Sequence, residues 1–224
     1  YLNKFSMIIG IGPLNHGFRT PSSIFYLNSL FYLPYLDYYL YHMGAILMLG
    51  FSNIILVSNI KKYLEKKENN QFFFLNLIAF IFINVFFYRI AEHGTDRSAQ
   101  ILIFLFFIYI LSLRGNYENF DNILPKLMVL LSIIISLKSF YILYLIFTFP
   151  FIYYIMKDDK AFLIYKIFKN PIFYFSILMG ICVILVYLFN TGCLLYPVQQ
   201  TCISGIEWGI PKSEVSALNT HYQW

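Results

Sequence analysis

The sequence predicts an all-α fold, a bundle of membrane-spanning helices, and three observations predict it. Charged residues make up 12% of the 224, against about 25% in a soluble domain, so the chain lacks the charge needed to coat a globule. Hydrophobic residues reach 59% and aromatics 21%, and mean hydropathy is +0.66. Long apolar runs alternate with short polar stretches that carry the lysines. The formal net charge of +5 is therefore no signal for nucleic acid, because basic residues in such a chain report topology.

Residues 1–35 read as a loop that ends in an interfacial helix. The stretch "SSIFYLNSLFYL" (22–33) is aromatic and amphipathic, but falls short of the roughly 20 residues that a span needs, so it fits the plane of the interface. The bundle occupies 36–190. About six candidate spans lie in it, at 36–60, 72–88, 100–113, 123–137, 139–156 and 171–190. The third and fourth are short, so each is expected to dip into a water-filled cavity or to be extended by a turn at each end. Residues 191–224 form a polar loop or tail. The chain starts at Tyr1 without a cleavable signal pattern and stops at Trp224 inside a loop, which reads as an internal fragment of a longer protein.

The lysines set the sides. Loops 61–71 ("KKYLEKKENNQ") and 157–170 ("KDDKAFLIYKIFKN") hold four lysines each, which makes both cytoplasmic by the positive-inside rule. Four spans lie between them, and an even number returns the chain to the same side. It follows that 1–35, 89–99, the turn at Lys138 and 191–224 are extracytoplasmic. That tail contains Cys193 and Cys202, which can pair in an oxidising compartment; Cys182, in an apolar run, reads as a small hydrophobe.

Polar groups gather on the outer side. "EHGTDRS" carries Glu92, His93, Asp96 and Arg97 between two apolar runs. A carboxylate against a low-dielectric wall is suited to act as general base toward a hydroxyl, and Arg97 is suited to meet a phosphate. The plainer alternative is a solvated loop in which Asp96 or Thr95 caps the next helix. Lys138, in "IIISLKSFYIL", sits between apolar segments where a charge is costly. It either snorkels to the headgroups or binds an anionic lipid phosphate. His16 and Arg19, in "NHGFRTPSS", precede a helix start and suggest an anion site, or are ordinary loop residues. The chain has no CxxC, HExxH or glycine-rich phosphate loop, so neither a metal nor a cofactor is assigned.

The layout resembles that of GT-C-type membrane glycosyltransferases. The segments "LNHGFRTPSSIFYLNSLFYLP", "EHGTDRSAQIL", "SLKS" and "LYPVQQTC" are similar to those of bacterial multi-pass envelope proteins with a GT-C-like core. The resemblance implies a glycosyltransferase of the bacterial inner membrane that takes sugar from a polyprenyl-phosphate donor for cell-envelope glycan assembly. Its partners would be membrane lipids and the lipid-phosphate sugar donor. Asp96 and Glu92 would be the catalytic acids, with His16, Arg19, His93, Arg97 and Lys138 binding substrate. The family's principal carboxylate lies just after its first span, a region that would fall upstream of Tyr1. Alternatives are a lipid-linked oligosaccharide polymerase or ligase, a flippase and a polysaccharide transporter. The sequence does not fix the oligomeric state.

Overall fold

The structure is a computed structural model, and it describes residues 9–10, 12, 19–20, 22–36, 39–66, 70–87, 94–113, 120–150 and 161–222. Every named element among them is helical. In chain order these are α1 (Ser23–Ser29), α2 (Met43–Lys66), α3 (Asn70–Phe86), α4 (Gly94–Leu113), α5 (Phe120–Leu137), a long 3-10 helix (Ser139–Thr148), α6 (Ala161–Lys169), α7 (Pro171–Thr191), a 3-10 turn (Gln199–Thr201) and α8 (Lys212–Tyr222). The all-α expectation holds among the described residues.

Among the described residues two helices, Met43–Glu65 and Pro171–Thr191, are long and apolar enough to cross a membrane. Three shorter apolar helices accompany them, Gln71–Phe86, Ile123–Leu137 and Ser139–Thr148. The two long ones do not owe their hydropathy to a soluble core, since only 22% and 11% of their most apolar windows are buried. Apolar surface displayed on that scale calls for a non-aqueous surrounding. The protein is membrane-associated.

Several boundaries differ from those read in the sequence, each for a local reason. The helix expected over 36–60 runs Met43–Lys66. Turns with Leu36 N–H on the Leu33 carbonyl and Tyr39 N–H on the Leu36 carbonyl delay its start, and the good helix formers Lys61, Lys62, Leu64 and Glu65 carry it onward. The interfacial helix shrinks to the seven residues of α1. It is docked rather than free, with Ile24 1% exposed and Ser23 Oγ 2.8 Å from Ser136 Oγ on α5. The short third span is extended at its start to Gly94, which takes Asp96 into its first turn. There the carboxylate complements the helix dipole.

The segment after Lys138 departs further. Instead of an α-helical span over 139–156, residues 139–148 form a ten-residue 3-10 helix that turns α-helical at Phe149 and Pro150, with residues 151–156 outside the described residues. Runs of that length are uncommon because side chains three apart eclipse one another. Here the eclipsed positions are aromatic. Tyr141 stacks on Tyr144 with centroids 5.5 Å apart, and Tyr144 on Phe147 at 5.7 Å, so the three-residue period becomes a column of rings. Phe107 of α4 meets Tyr144 and Phe147 edge-on.

The α5 helix lies at the centre, packed against α4, α7 and the 3-10 helix. Its Leu127, Leu131, Ile134 and Leu137 are buried in the main core together with Ile101, Leu105 and Phe106 of α4. In α5, Pro125 removes the N–H that would otherwise reach the Asp121 carbonyl. The α2 and α3 helices are joined by amide pairs. Asn53 and Asn84 exchange hydrogen bonds of 3.0 and 2.8 Å, and Asn59 Nδ2 donates to Asn76 Oδ1 at 3.1 Å. Such bonds between apolar helices satisfy groups that lipid cannot.

The α7 helix is delimited by its sequence. Asn170 caps it through Oδ1, which accepts from Ile172 N–H at 3.0 Å, and Pro171 occupies the first position, where its missing N–H costs nothing. At the other end Gly192 is left-handed at φ 75° and donates to the Leu188 carbonyl at 2.8 Å. A Cβ on Gly192 would lie 2.7 Å from the Gly209 backbone. Gly192→Ala therefore combines a left-handed cost of roughly 1–2 kcal/mol with a backbone clash. It is expected to lower the thermal midpoint in detergent by several degrees. Gly180→Ala, in the same helix with open space around it, is the control and should leave the midpoint unchanged or higher. Equal midpoints for the two variants would refute this.

Beyond Gly192 the chain folds back over the end of α7 as a small cap. The Cys193–Cys202 disulfide forms, and Tyr187, Tyr196, Ile210 and Val215 pack around it as a second core.

Candidate functional site

The start of α4, the end of α5, the start of α1 and the end of α7 meet at one end of the bundle, beneath the cap. The lysines of α2 (Lys61, Lys62, Lys66) and of α6 (Lys166, Lys169) belong to the other end of the antiparallel helices. Two residues singled out in the sequence come together at the first end. Lys138 Nζ lies 2.5 Å from Asp96 Oδ1, across 42 positions of chain. Both side chains are about half exposed, at 45% and 46%.

Local structure explains the pairing. Lys138 is the N-cap of the 3-10 helix in an extended conformation, φ −154° and ψ 118°, which turns its side chain away from the α5 axis while its N–H still closes on the Ile134 carbonyl at 3.1 Å. Asp96 projects from the first turn of α4. The pair borders a cavity of about 280 Å³ whose wall also includes Thr20, Ser22, Ser139 and Tyr187. Ser139 Oγ donates to the Tyr196 carbonyl at 3.3 Å, tying the cavity wall to the cap. Ser22 is different. It is 4% exposed, makes no cap hydrogen bond, and its Oγ has no partner among the described residues. A buried hydroxyl in that condition is costly unless something else satisfies it.

The other basic residues of the sequence reading are engaged elsewhere. Arg19 points into the cap, where NH2 donates to Glu214 Oε1 of α8 at 2.7 Å and Nε to the Gly12 carbonyl at 3.1 Å. Burial alone would lower its pKa, but the hydrogen bond to Glu214 and the charge of that carboxylate, with Tyr196 beside it, outweigh this and raise it above its ordinary value. Arg19 stays charged and straps the cap to the chain before α1. Arg97 leans over the Phe87 ring, 5.0 Å from its centroid, with NH1 donating to Gln100 Oε1 at 3.2 Å. That is a cation–π anchor for the start of α4. Glu92, His93 and His16 lie outside the described residues. Among the described residues no three metal-ligating side chains are grouped.

Sequence reasoning missed Ser22, Tyr187 and Glu214. Ser22 reads there as an ordinary helix start. Tyr187 is one of 20 tyrosines, without a distinguishing neighbour. For Glu214 a signal did exist, since "PKSE" reads as the start of a helix and a carboxylate in a first turn draws a cation.

Together these features define an all-helical, membrane-associated protein with a carboxylate–ammonium pair at a polar cavity on one end of its bundle. The chain belongs to the family described as a domain of unknown function (DUF8201), whose model matches residues 1–223. No curated protein and no solved structure matches the chain.

Proposed function

We propose that the protein is a multi-pass glycosyltransferase of the bacterial inner membrane that takes sugar from a polyprenyl-phosphate donor on the extracytoplasmic face. The observation that carries this reading is the Asp96–Lys138 pair at the mouth of the cavity, a base and a cation side by side where the apolar bundle ends. In the reaction, the Asp96 carboxylate takes the proton of an acceptor hydroxyl, and that oxygen attacks the anomeric carbon. The bond from that carbon to the phosphate oxygen breaks, and the phosphate leaves with the electron pair toward the Lys138 ammonium. A single displacement of this kind inverts the anomeric centre.

Six spans with 61–71 and 157–170 on the cytoplasmic side account for the segregation of charge. The Cys193–Cys202 bond supports an oxidising compartment for the cap. A flippase or exporter would carry charge along its path, whereas the charged residues of the described helices lie within about two turns of a helix end. A polymerase or ligase uses the same chemistry on a larger acceptor and would be separated by product size.

Two measurements test the reading. Purified protein given a radiolabelled polyprenyl-phosphate sugar and membrane glycan acceptors should transfer the label and release polyprenyl phosphate; a donor left intact with every acceptor fraction would refute the activity. For sidedness, after Cys182→Ala, a cysteine at the exposed Glu207 should react with an impermeant thiol reagent in intact cells. One at the exposed Lys62 should react only once the membrane is opened. Equal labelling of the two would overturn the topology. Ser98, fully buried, is unsuitable for this purpose.

A further inference from the structure

We infer that a second copy of this chain docks on the outward faces of α2 and α3, with the Asn53–Asn84 amide pair as the polar centre of the interface. The inference rests on the membrane setting of the bundle and not on the enzyme reading. Two amide pairs tie α2 to α3, and they differ in burial. Asn59 meets Asn76, which is fully buried, the usual place for a polar group between apolar helices. Asn53 meets Asn84 at the surface instead, and Asn84 is exposed. Asn53 stands ten residues after Met43 and nine before Lys62, about 14 Å from each at the helical rise. The pair therefore opens onto the surroundings of the apolar stretch that is long enough to cross a membrane.

Counting donors and acceptors shows what is left over. A primary amide has two N–H donors and two lone pairs on its oxygen. Asn84 Nδ2 uses both donors, on Asn53 Oδ1 and on the Phe80 carbonyl, each at 2.8 Å. Asn53 Nδ2 uses one, on Asn84 Oδ1 at 3.0 Å. Among the described residues this leaves one Asn53 N–H and one lone pair on each Oδ1. Hydrocarbon satisfies none of these. A copy of the same surface satisfies them, because donor and acceptor lie side by side on one patch. Across a two-fold axis the spare N–H of each Asn53 meets a spare lone pair of the other copy, and the set closes on itself.

The apolar residues around the pair have the spacing of a helix seam. Phe74, Ile78, Ile81 and Val85 of α3 are each more than half exposed, and their 4-3-4 spacing is that of a coiled-coil stripe. By the helical repeat they lie opposite Ala79 and Ile83, which are buried in the core. On α2, Ile46, Ile54 and Val57 are exposed, and Gly50 stands among them where an added Cβ would meet nothing within 4 Å. So small a residue on an outward face lets a second backbone come close. Apolar exposure alone does not single out this face. The α7 helix also exposes Ile177, Ile181 and Ile184, but its asparagine, Asn190, is fully buried. The spare amide groups make the difference.

The test is the mass of the full chain in detergent, measured by light scattering. The parent is expected at about twice the 26.5 kDa of one chain. Asn53→Leu with Asn84→Leu should halve that mass, and so should Gly50→Leu alone. Gly50→Leu touches neither amide, and its side chain points into open space, so the fold of one copy survives it. Gly180→Leu, on α7 and equally open, should leave the mass of the parent. In native membranes, after Cys182→Ala, oxidation should join two copies through Ile81→Cys, one turn from Asn84, and not through Ile181→Cys. A parent of single-chain mass would overturn the inference. A dimer that survives either Gly50→Leu or the amide double variant would place the interface elsewhere and overturn it too. Cross-linking of Ile81→Cys to a different protein would do the same, since the face would then belong to a foreign partner.

Discussion

Asp96→Asn is expected to lower sugar transfer by about two to four orders of magnitude, the usual contribution of a positioned general base, while the protein stays in the membrane at near-normal abundance. The amide keeps the shape of the carboxylate and an oxygen for Lys138, so the geometry survives and the base does not. The stability cost is small because Asp96 and Lys138 are each about half exposed. A pair that open to solvent is worth at most about 1 kcal/mol. A role confined to the first turn of α4 would give the opposite result: the dipole contribution lost with the charge would appear as lower abundance and unchanged turnover per molecule. Lys138→Gln should raise the donor concentration needed for half-maximal turnover, and Lys138→Arg should restore part of the loss. The two sites act on one cavity, so the double variant should fall short of the sum of the singles. Strict additivity would mean that they serve separate steps.

The all-helical class was legible because apolar helices are written in composition, whereas only two of the expected spans are long and apolar enough to cross a membrane among the described residues. The span expected over 171–190 agrees with α7 to within a residue, because Asn170 and Pro171 at its start and Gly192 at its end are local capping signals. The sequence analysis also brought Asp96 and Lys138 to the same side of the membrane, since charge segregation and span parity are one-dimensional properties. It did not show that they touch, because a contact across 42 residues depends on how α4 and α5 pack. The 3-10 helix was illegible for a different reason. Its run of apolar residues satisfies any helical period, and the Tyr141, Tyr144 and Phe147 spacing has meaning only once the rings stack. Arg19 shows the limit most clearly. Its position before a helix start suggested an anion site, and the anion it meets is the protein's own Glu214, 195 residues away.

Removing the cap disulfide by Cys193→Ala with Cys202→Ala is expected to destabilise the capped end of the protein by about 2–3 kcal/mol, the chain-entropy value for so short a loop, with nine residues of separation between the cysteines. Both cysteines are buried in the cap core, at 0% and 4% exposure, and alanine leaves little void there. The loop they close presents Leu194 N–H to the Thr201 carbonyl at 3.1 Å and Leu195 N–H to Thr201 Oγ1 at 3.1 Å. Those bonds hold Tyr196, whose carbonyl receives Ser139 Oγ one residue from Lys138. Loosening the loop should therefore reach the site as well as the cap. The thermal midpoint is expected to fall by roughly 5–10 °C, from about 2–4 °C per kcal/mol in a chain of this size, and donor use should weaken without any change to Asp96 or Lys138. A reductant supplies the control. It should lower the midpoint of the parent to that of the double variant and leave the double variant where it was. A parent indifferent to reductant, with its cysteines shown to be reduced by mass, would mean that the cap is held by Arg19–Glu214 and by the packing of Ile210 and Val215 alone.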